Sequence, residues 1–339
     1  MSFFEHLTEF GGLPVVDYPC ADLQEEQLNR ARQWARRTGH PLPERLEPSE
    51  AYTAALAAPG TAAWRLRVMY PARQPFADLF AHFLDEVDTA QVSALVVGCW
   101  GEETGQGPRD LLVEHADRFP ALRALFFGEF VQEEAEVSWI EQCDVAPLLA
   151  AFPRLEELRV RGGSGLEFPA TRHEALRTLV VETGGLPRRV PAGVLASDLP
   201  ALEHLELWFG VEDYGGTTTV DDLAPLLAGE RFPALRRLGL RNAEWGDDLV
   251  RRLADAPVTQ RVKVLDLSGH VLTDAGGEVL AAAPAFRGLE RLVIHHHFLT
   301  EEMEERLRAA LTGVDVDLDG RREPEVYKDE VFYYPQVTE

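Results

Sequence analysis

A six-position apolar pattern, Leu-x-x-Leu-x-Leu, returns along nearly the whole chain. A sequence that repeats one short apolar motif at near-constant spacing is committed to stacking copies of a single unit. The clearest copies are FPALRALFF at Leu122, FPRLEELRV at Leu155, HEALRTLVV at Leu176, LPALEHLEL at Leu202, FPALRRLGL at Leu235 and FRGLERLVI at Leu289. Weaker copies start at Ala63, Val92, Val262 and Leu311. The mean spacing of about 28 residues leaves room for a helix after each short strand.

The intervening sequence agrees. PFADLFAHFLDEV, RDLLVEHADRF, DVAPLLAAF, VDDLAPLLAG, DDLVRRLADA, TDAGGEVLAAA and TEEMEERLRAAL each carry apolar residues three or four apart. Asp144, Asp221, Asp247, Thr273 and Thr300 stand where an N-cap belongs. Pro120, Pro153, Pro200, Pro233 and Pro284 follow the helical stretches and turn the chain toward the next strand. One strand and one helix cannot bury their apolar faces alone, so neighbouring copies must stack. The expected fold is α/β: a curved horseshoe solenoid of about ten coils, with parallel strands on the concave face and helices on the convex face. An ordinary doubly wound sheet would not place the same hexapeptide before successive helical stretches.

The ends depart from the pattern. Residues 1–62 are expected to cap the first coil, with an insertion at 22–50, residues 63–318 to form the solenoid, and residues 319–339 to form a tail. Within the cap, LQEEQLNRARQWARRTG reads as a helix stopped by Gly39, and HPLPERLEPSE as a proline-punctuated loop. The tail is charged and then aromatic. It is expected to fold back on the last coil through Tyr327, Phe332, Tyr333 and Tyr334.

With 57 acidic against 33 basic residues the formal charge is −24, which argues against bulk attraction to nucleic acid or to anionic membrane. Cys20, Cys99 and Cys143 lie far apart and form no CxxC pair, as in a reducing compartment. The first ten residues include acids and no long apolar run, and no stretch approaches the ~18 apolar residues of a membrane span. A cytoplasmic protein is expected.

The repeated hexapeptide resembles the leucine-rich-repeat superfamily in its long, ribonuclease-inhibitor-like form. HLTEFGGLPV, ALVVGCWGE, LPALEHLELWFGVEDYGG and LVIHHHFLTEEMEERLRAALTGVDVDL also resemble a family of uncharacterised bacterial leucine-rich-repeat proteins, over nearly the full length but not at residues 22–50. The resemblance implies a fold and no established activity. Members of that family tend to be encoded beside a radical-SAM-type protein and a hydrolase-like protein, which implies an accessory role in a modification pathway with such enzymes as partners.

Strand side chains alternate, so three positions per copy should face outward on the concave side. Across the copies these hold Arg65, Arg67, Arg159, Arg161, Arg237, Arg241 and Arg291 against Glu157, Glu182, Glu206, Asp266, Asp315 and Asp317. That face is close to neutral on a strongly acidic chain. Phe126, His204 and Trp208 lie among the arginines, and aromatics with arginine anchor protein interfaces. Phe126, Arg159, Arg161, His204, Glu206, Trp208, Arg237 and Arg241 are therefore the candidate partner-binding residues. The plainer alternative is that paired charges keep a sheet soluble. On the binding view, Trp208→Ala with Arg161→Glu should abolish binding and spare stability.

The most chemical-looking feature is His295-His296-His297 with His270. His270 and His297 stand 27 residues apart, where asparagine-type repeats satisfy backbone groups in the turn, so a structural ladder with His295 on the concave face is one reading. A Zn²⁺ or Ni²⁺ site is the other, although consecutive strand residues alternate faces and no HExxH-like set completes it. There is no GxSxG elbow, catalytic-cysteine signature, phosphate loop or GxGxxG fingerprint. The expectation is a non-catalytic scaffold with no cofactor and no assigned metal, binding a protein through the concave face. The alternative is an accessory metal-binding or catalytic protein using the His270, His295 and His297 region.

Overall fold

In the computed structural model, which describes residues 3–338, the leucine pattern sets where strands begin. Eight of the ten predicted copies start a strand two residues after their first apolar position. The two end copies are displaced: Trp64 pairs with Leu95 and Val316 with Leu292, which shifts the frame by two residues. An even shift leaves every side chain on its expected face. The described residues fall into two compact units, one drawn from residues up to 136 with 140–160, the other from 137–139 with 161 onward.

In the first unit, β1 (Glu9–Phe10) and β2 (Leu13–Asp17) form an antiparallel hairpin through Gly11 and Gly12. Their φ values of +58° and +72° suit a two-residue turn of this kind, which glycine adopts without strain. β2 then pairs in parallel with β3 (Ala63–Leu66), followed by β4 (Ala94–Gly98), β5 (Ala124–Glu129) and β6 (Glu157–Arg161). LPVVD lacks the leucine motif, so β2 escaped the repeat count. The helices are α1 (Ala21–Thr38), α2 (Glu50–Ala57), α3 (Phe76–Glu86), α4 (Gln106–Glu114) and α5 (Ala146–Ala151). α1 stops at Gly39, which takes the left-handed conformation that terminates helices. Trp64, Leu95, Leu125 and Leu158 stack in register as the fully buried inner row.

In the second unit, β7 (Thr178–Glu182), β8 (His204–Gly210), β9 (Arg237–Ala243), β10 (Val264–Asp266), β11 (Arg291–Val293) and β12 (Asp315–Asp317) run parallel in sequence order. Between or beside them lie α6 (Arg189–Ala196), α7 (Ala224–Leu227), α8 (Gly246–Ala254), α9 (Pro257–Arg261), α10 (Asp274–Ala282) and α11 (Glu301–Ala310). Leu179, Leu205, Leu238, Leu265 and Leu292 form the buried inner row. Each unit thus repeats a leucine-rich-repeat-like strand and return.

The last helices are tied together by a recurring pair. Asp247 accepts from the Thr273 backbone N–H at 2.9 Å and from its hydroxyl at 2.6 Å. One coil later, Asp274 accepts from the Thr300 N–H and hydroxyl, both at 2.8 Å. Both threonines are the expected N-caps, but Asp247 lies inside the first turn of α8 and serves the next helix instead. The tail forms a hairpin, β13 (Glu325–Tyr327) and β14 (Glu330–Phe332), turning at Lys328 and Asp329 with positive φ. Tyr333 packs on Phe298 at 5.0 Å, whereas Tyr327 stays exposed. Beyond the hairpin, Val337 exchanges hydrogen bonds with the Asn242 side chain, and the Thr338 carbonyl accepts from Ser138. The tail therefore reaches farther back than the last coil.

Candidate binding faces on the strands

The outward face of the first unit is built on small residues. Ala63, Ala94 and Ala124 stand in register on adjacent strands. This row of methyl groups leaves a shallow seat, and Phe10, Leu7, Leu13 and Val15 occupy it. A side chain at Gly11 would meet the Ala124 Cβ at 2.9 Å, so the hairpin lies directly on the strands. Polar contacts fix the segment. The Leu7 N–H donates to Glu129 Oε1 at 2.8 Å, Arg65 Nη1 donates to the Leu7 carbonyl at 3.0 Å, and the Gln132 N–H donates to the Phe3 carbonyl at 2.8 Å. His6 Nδ1 lies 2.9 Å from Glu129 Oε2 and Nε2 lies 3.4 Å from Glu134 Oε1.

Burial alone would lower the His6 pKa, but the two carboxylates outweigh it and raise it. Glu129 was not among the expected outward residues. A register shift at Val97/Gly98 pairs Gly98 with Glu129, and this bulge changes the alternation that the sequence implies.

This arrangement corrects the expected patch. Phe126 does face outward, but it is fully buried, with its ring 6.0 Å from that of Phe10. Arg159 is half-buried, bonded to Glu157 at 2.6 Å, with its guanidinium 5.9 Å from the Phe10 ring. Arg65 makes a fork to Asp17, both bonds 2.7 Å, and Arg67 reaches Glu134 at 2.7 Å. The first unit's face is largely occupied by the chain's own residues 3–13.

The second unit carries the other six candidates. Thr178, His204, Arg237, Val264, Arg291 and Asp315 form one in-register outward row. Glu206, Gly239, Asp266, Val293 and Asp317 form the next. Gly239 matters here because a Cβ would stand 2.7 Å from Glu206 Cγ, so only glycine leaves space for that carboxylate. Glu206 accepts from Trp208 Nε1 at 2.7 Å and from Arg241 Nη1 at 3.0 Å, with His204 Nε2 3.5 Å away. Burial opposes its charge, yet His204, Arg241 and the indole N–H outweigh that and hold its carboxyl well below the usual range. The Arg241 guanidinium lies 4.2 Å over the Trp208 ring.

Accessibility divides these candidates. Arg237 is exposed, and His204 and Arg241 are half-buried. Trp208 and Arg161 are each 1% exposed, and Arg161 donates to the buried Glu182 at 2.7 Å. Trp208 and Arg161 were expected to offer an open surface; they are internal instead. Removing either partner of a buried pair leaves an uncompensated charge, so Arg161→Glu would destabilise the protein rather than report on binding. Of the seven predicted outward arginines, Arg65, Arg67, Arg159, Arg161, Arg241 and Arg291 all meet carboxylates within 4 Å. The near-neutral face therefore comes from cross-strand pairing, which the sequence count alone could not distinguish from an open basic patch.

The histidines separate by role. His270 is completely buried: its Nδ1 accepts from the Ala243 N–H at 2.9 Å, and its Nε2 lies 2.6 Å from the Leu240 carbonyl. His297 accepts from the Leu299 N–H at Nδ1 and lies 3.0 Å from the Leu318 carbonyl at Nε2. Both rings serve the backbone, as the structural reading anticipates. His295 is set apart on the outward side, with Nε2 2.8 Å from Asp317 Oδ1. Its donor atom, Asp317 and Asp319 offer ligand atoms within 4.8 Å of one another. Neither aspartate was singled out as a metal ligand from sequence. All three cysteines are buried and unpaired, and burial pushes the thiols of Cys99 and Cys143 up to about 12. Among the described residues no helix is long and apolar enough to cross a membrane.

No family model and no curated protein matches the chain. Among solved structures, a protein of Bacteroides fragilis determined by the Northeast Structural Genomics Consortium is similar at 27% identity and a TM-score of 0.71, covering 90% of this chain and 86% of its own. An internalin from Listeria monocytogenes overlaps at 13% identity with a TM-score of 0.30, covering 90% of this chain and 96% of its own, a score too low to signify a shared fold. The Bacteroides likeness supports the fold described above.

Proposed function

We propose that the chain is a non-catalytic scaffold that binds a protein partner through the outward strand face of its second unit. The observation that carries this reading is the row Thr178, His204, Arg237, Val264, Arg291 and Asp315, whose members are all exposed or half-buried. Parallel sheets ordinarily have both faces covered by helices, so a parallel face left open with ordered charged side chains is a surface available for contact. The carboxylates and arginines behind this row are engaged with each other, which leaves them positioned as a rigid backing. Protein partners of this kind would include the enzymes encoded nearby that the bacterial family resemblance implies.

The substitutions that test it are accessible ones. Arg237→Glu with His204→Gln should remove partner capture while the unfolding temperature stays within about 2 °C of wild type, since Arg237 is exposed and glutamine keeps a neutral donor beside Glu206. Capture at wild-type levels by that variant would refute the face.

A second reading has one observation in its favour. His295, Asp317 and Asp319 could take a divalent cation, which would make the chain an accessory metal-binding protein through His295 rather than through His270 or His297. Stoichiometric metal lost on His295→Ala, and kept on His297→Ala, would support it.

A further inference from the structure

The part of the chain that departs from the repeat borders a cavity. A space of about 930 Å³ lies in the first unit between β2, the start of α1, residues 46–49 leading into α2, and the last turns of α3. That is near the top of the range for small-molecule sites. Its walls are of two kinds. Val15, Leu23, Leu46 and Pro48 are apolar, whereas Glu47, Asp85 and Glu86 bring three carboxylates to the rim. The Asp17 and Arg67 that also line it already engage each other, at 3.3 Å, with Arg65 as a further partner of Asp17. Among the described residues Asp85 and Glu86 form no ion pair with an arginine or lysine, whereas Glu47 pairs with Arg45 at 3.2 Å.

Two tyrosines organise this rim. Tyr18 is 4% exposed, with its ring 5.2 Å from Phe83 and 6.4 Å from Trp64, both edge-on. Its hydroxyl donates to Glu86 Oε2 at 2.7 Å. Tyr52 completes the cluster, its ring 6.0 Å from Trp64 and 6.4 Å from Tyr18, with Glu86 beside its hydroxyl. Glu86 is thus held in one orientation at the mouth of the cavity by hydrogen bonding to an aromatic support. The basic side chains on the wall are Arg67, already engaged by Asp17 and Glu134, and His82; a carboxylate fixed beside aromatic rings with Asp85 next to it complements a positive head on an apolar stem.

We propose that this cavity binds an organic cation, a guanidinium or primary amine carried on a chain of a few carbons. The head sits against Glu86 and Asp85, and the stem lies along Val15, Leu23 and Leu46. Such a group reaches the site either as a free diamine-type metabolite or as the arginine side chain of a peptide. The site is separate from the strand face proposed for partner binding, so the two readings stand or fall independently.

Titration calorimetry on the full chain tests it with three probes: agmatine, its uncharged analogue n-butylurea, and an acetyl-Gly-Arg-Gly-amide peptide. Agmatine is expected to bind with at least tenfold higher affinity than n-butylurea. Glu86→Gln should weaken agmatine at least tenfold. Because that change also touches Tyr18, a second variant, Ala51→Trp, fills the cavity from α2 and should abolish binding with an unchanged unfolding temperature. Peptide binding equal to agmatine assigns the side-chain source, and binding of agmatine alone assigns the metabolite; both support the cation site. No agmatine binding by wild type, equal binding of n-butylurea, or undiminished binding in both variants overturns it.

Discussion

His270 shows how a single side chain can stand in for a length of backbone. With Nδ1 accepting and Nε2 donating, only the neutral ring protonated on Nε2 satisfies both the Ala243 N–H and the Leu240 carbonyl. Burial pushes its pKa down to about 4, below the roughly 6.5 of an unfolded chain. The unfolded state therefore binds the proton more readily. The stabilisation is complete above about pH 6.5, drains away as pH falls, and is gone below about pH 4, a total of about 3 kcal/mol. Urea unfolding from pH 7.5 to 4.5 should show a steeper fall in wild type than in His270→Asn, which at pH 7.5 is itself about 2 kcal/mol less stable. Equal slopes would mean the ring is not held neutral.

His6 has the opposite sign. Its raised pKa makes the contact with Glu129 and Glu134 strongest below about pH 6.5, and it weakens as pH rises through the folded value. Amide exchange at residues 7–10 should quicken with pH beyond the intrinsic increase. His6→Ala should remove that excess.

At the scale of elements, the sequence was most legible where one pattern controls both position and burial. The leucine frame located the strands because each inner leucine packs on its counterpart one coil away. It did not locate β2, whose LPVVD has no leucine frame. Nor did it find α6, whose RVPAGVLA contains a proline and a glycine that ordinarily argue against a helix. That glycine is needed, since a Cβ on Gly193 would run into the Phe168 carbonyl oxygen.

The alanine row was visible in the sequence as Ala63, Ala94 and Ala124. What sits on it was not, because a seat of methyl groups does not name its occupant. Ala94→Leu should unseat the hairpin at a cost of about 1–3 kcal/mol and speed exchange at residues 7–13. An unchanged exchange pattern would mean the row does not carry the hairpin. The aspartate–threonine pairs belong to this scale as well. Asp274→Ala should lower stability by about 1 kcal/mol in chemical denaturation. Thr300→Ala should cost a similar amount, and the double variant less than the sum, because both remove one contact.

At the scale of the whole molecule, alternation along the strands gives the side each residue takes but not its accessibility. Alternation fixes which side a residue takes, so Phe126, Arg161 and Trp208 were placed on the right side. It carries no information about what else lies there, and the covering residues 3–13 are more than a hundred positions from Phe126 in sequence. The cross-strand pairing of arginine with carboxylate was likewise invisible, because it depends on register between coils and on the bulge beside Glu129. What survives as accessible is the row containing His204, Arg237 and Arg291.

The most direct measurement compares partner capture by wild type, by the open-face variant His204→Gln/Arg237→Glu, and by a helix-face variant, Arg251→Glu/Arg252→Glu, at matched thermal stability. The account predicts at least a tenfold loss for the open-face variant alone. Retention there, with loss in the helix-face variant, would contradict it.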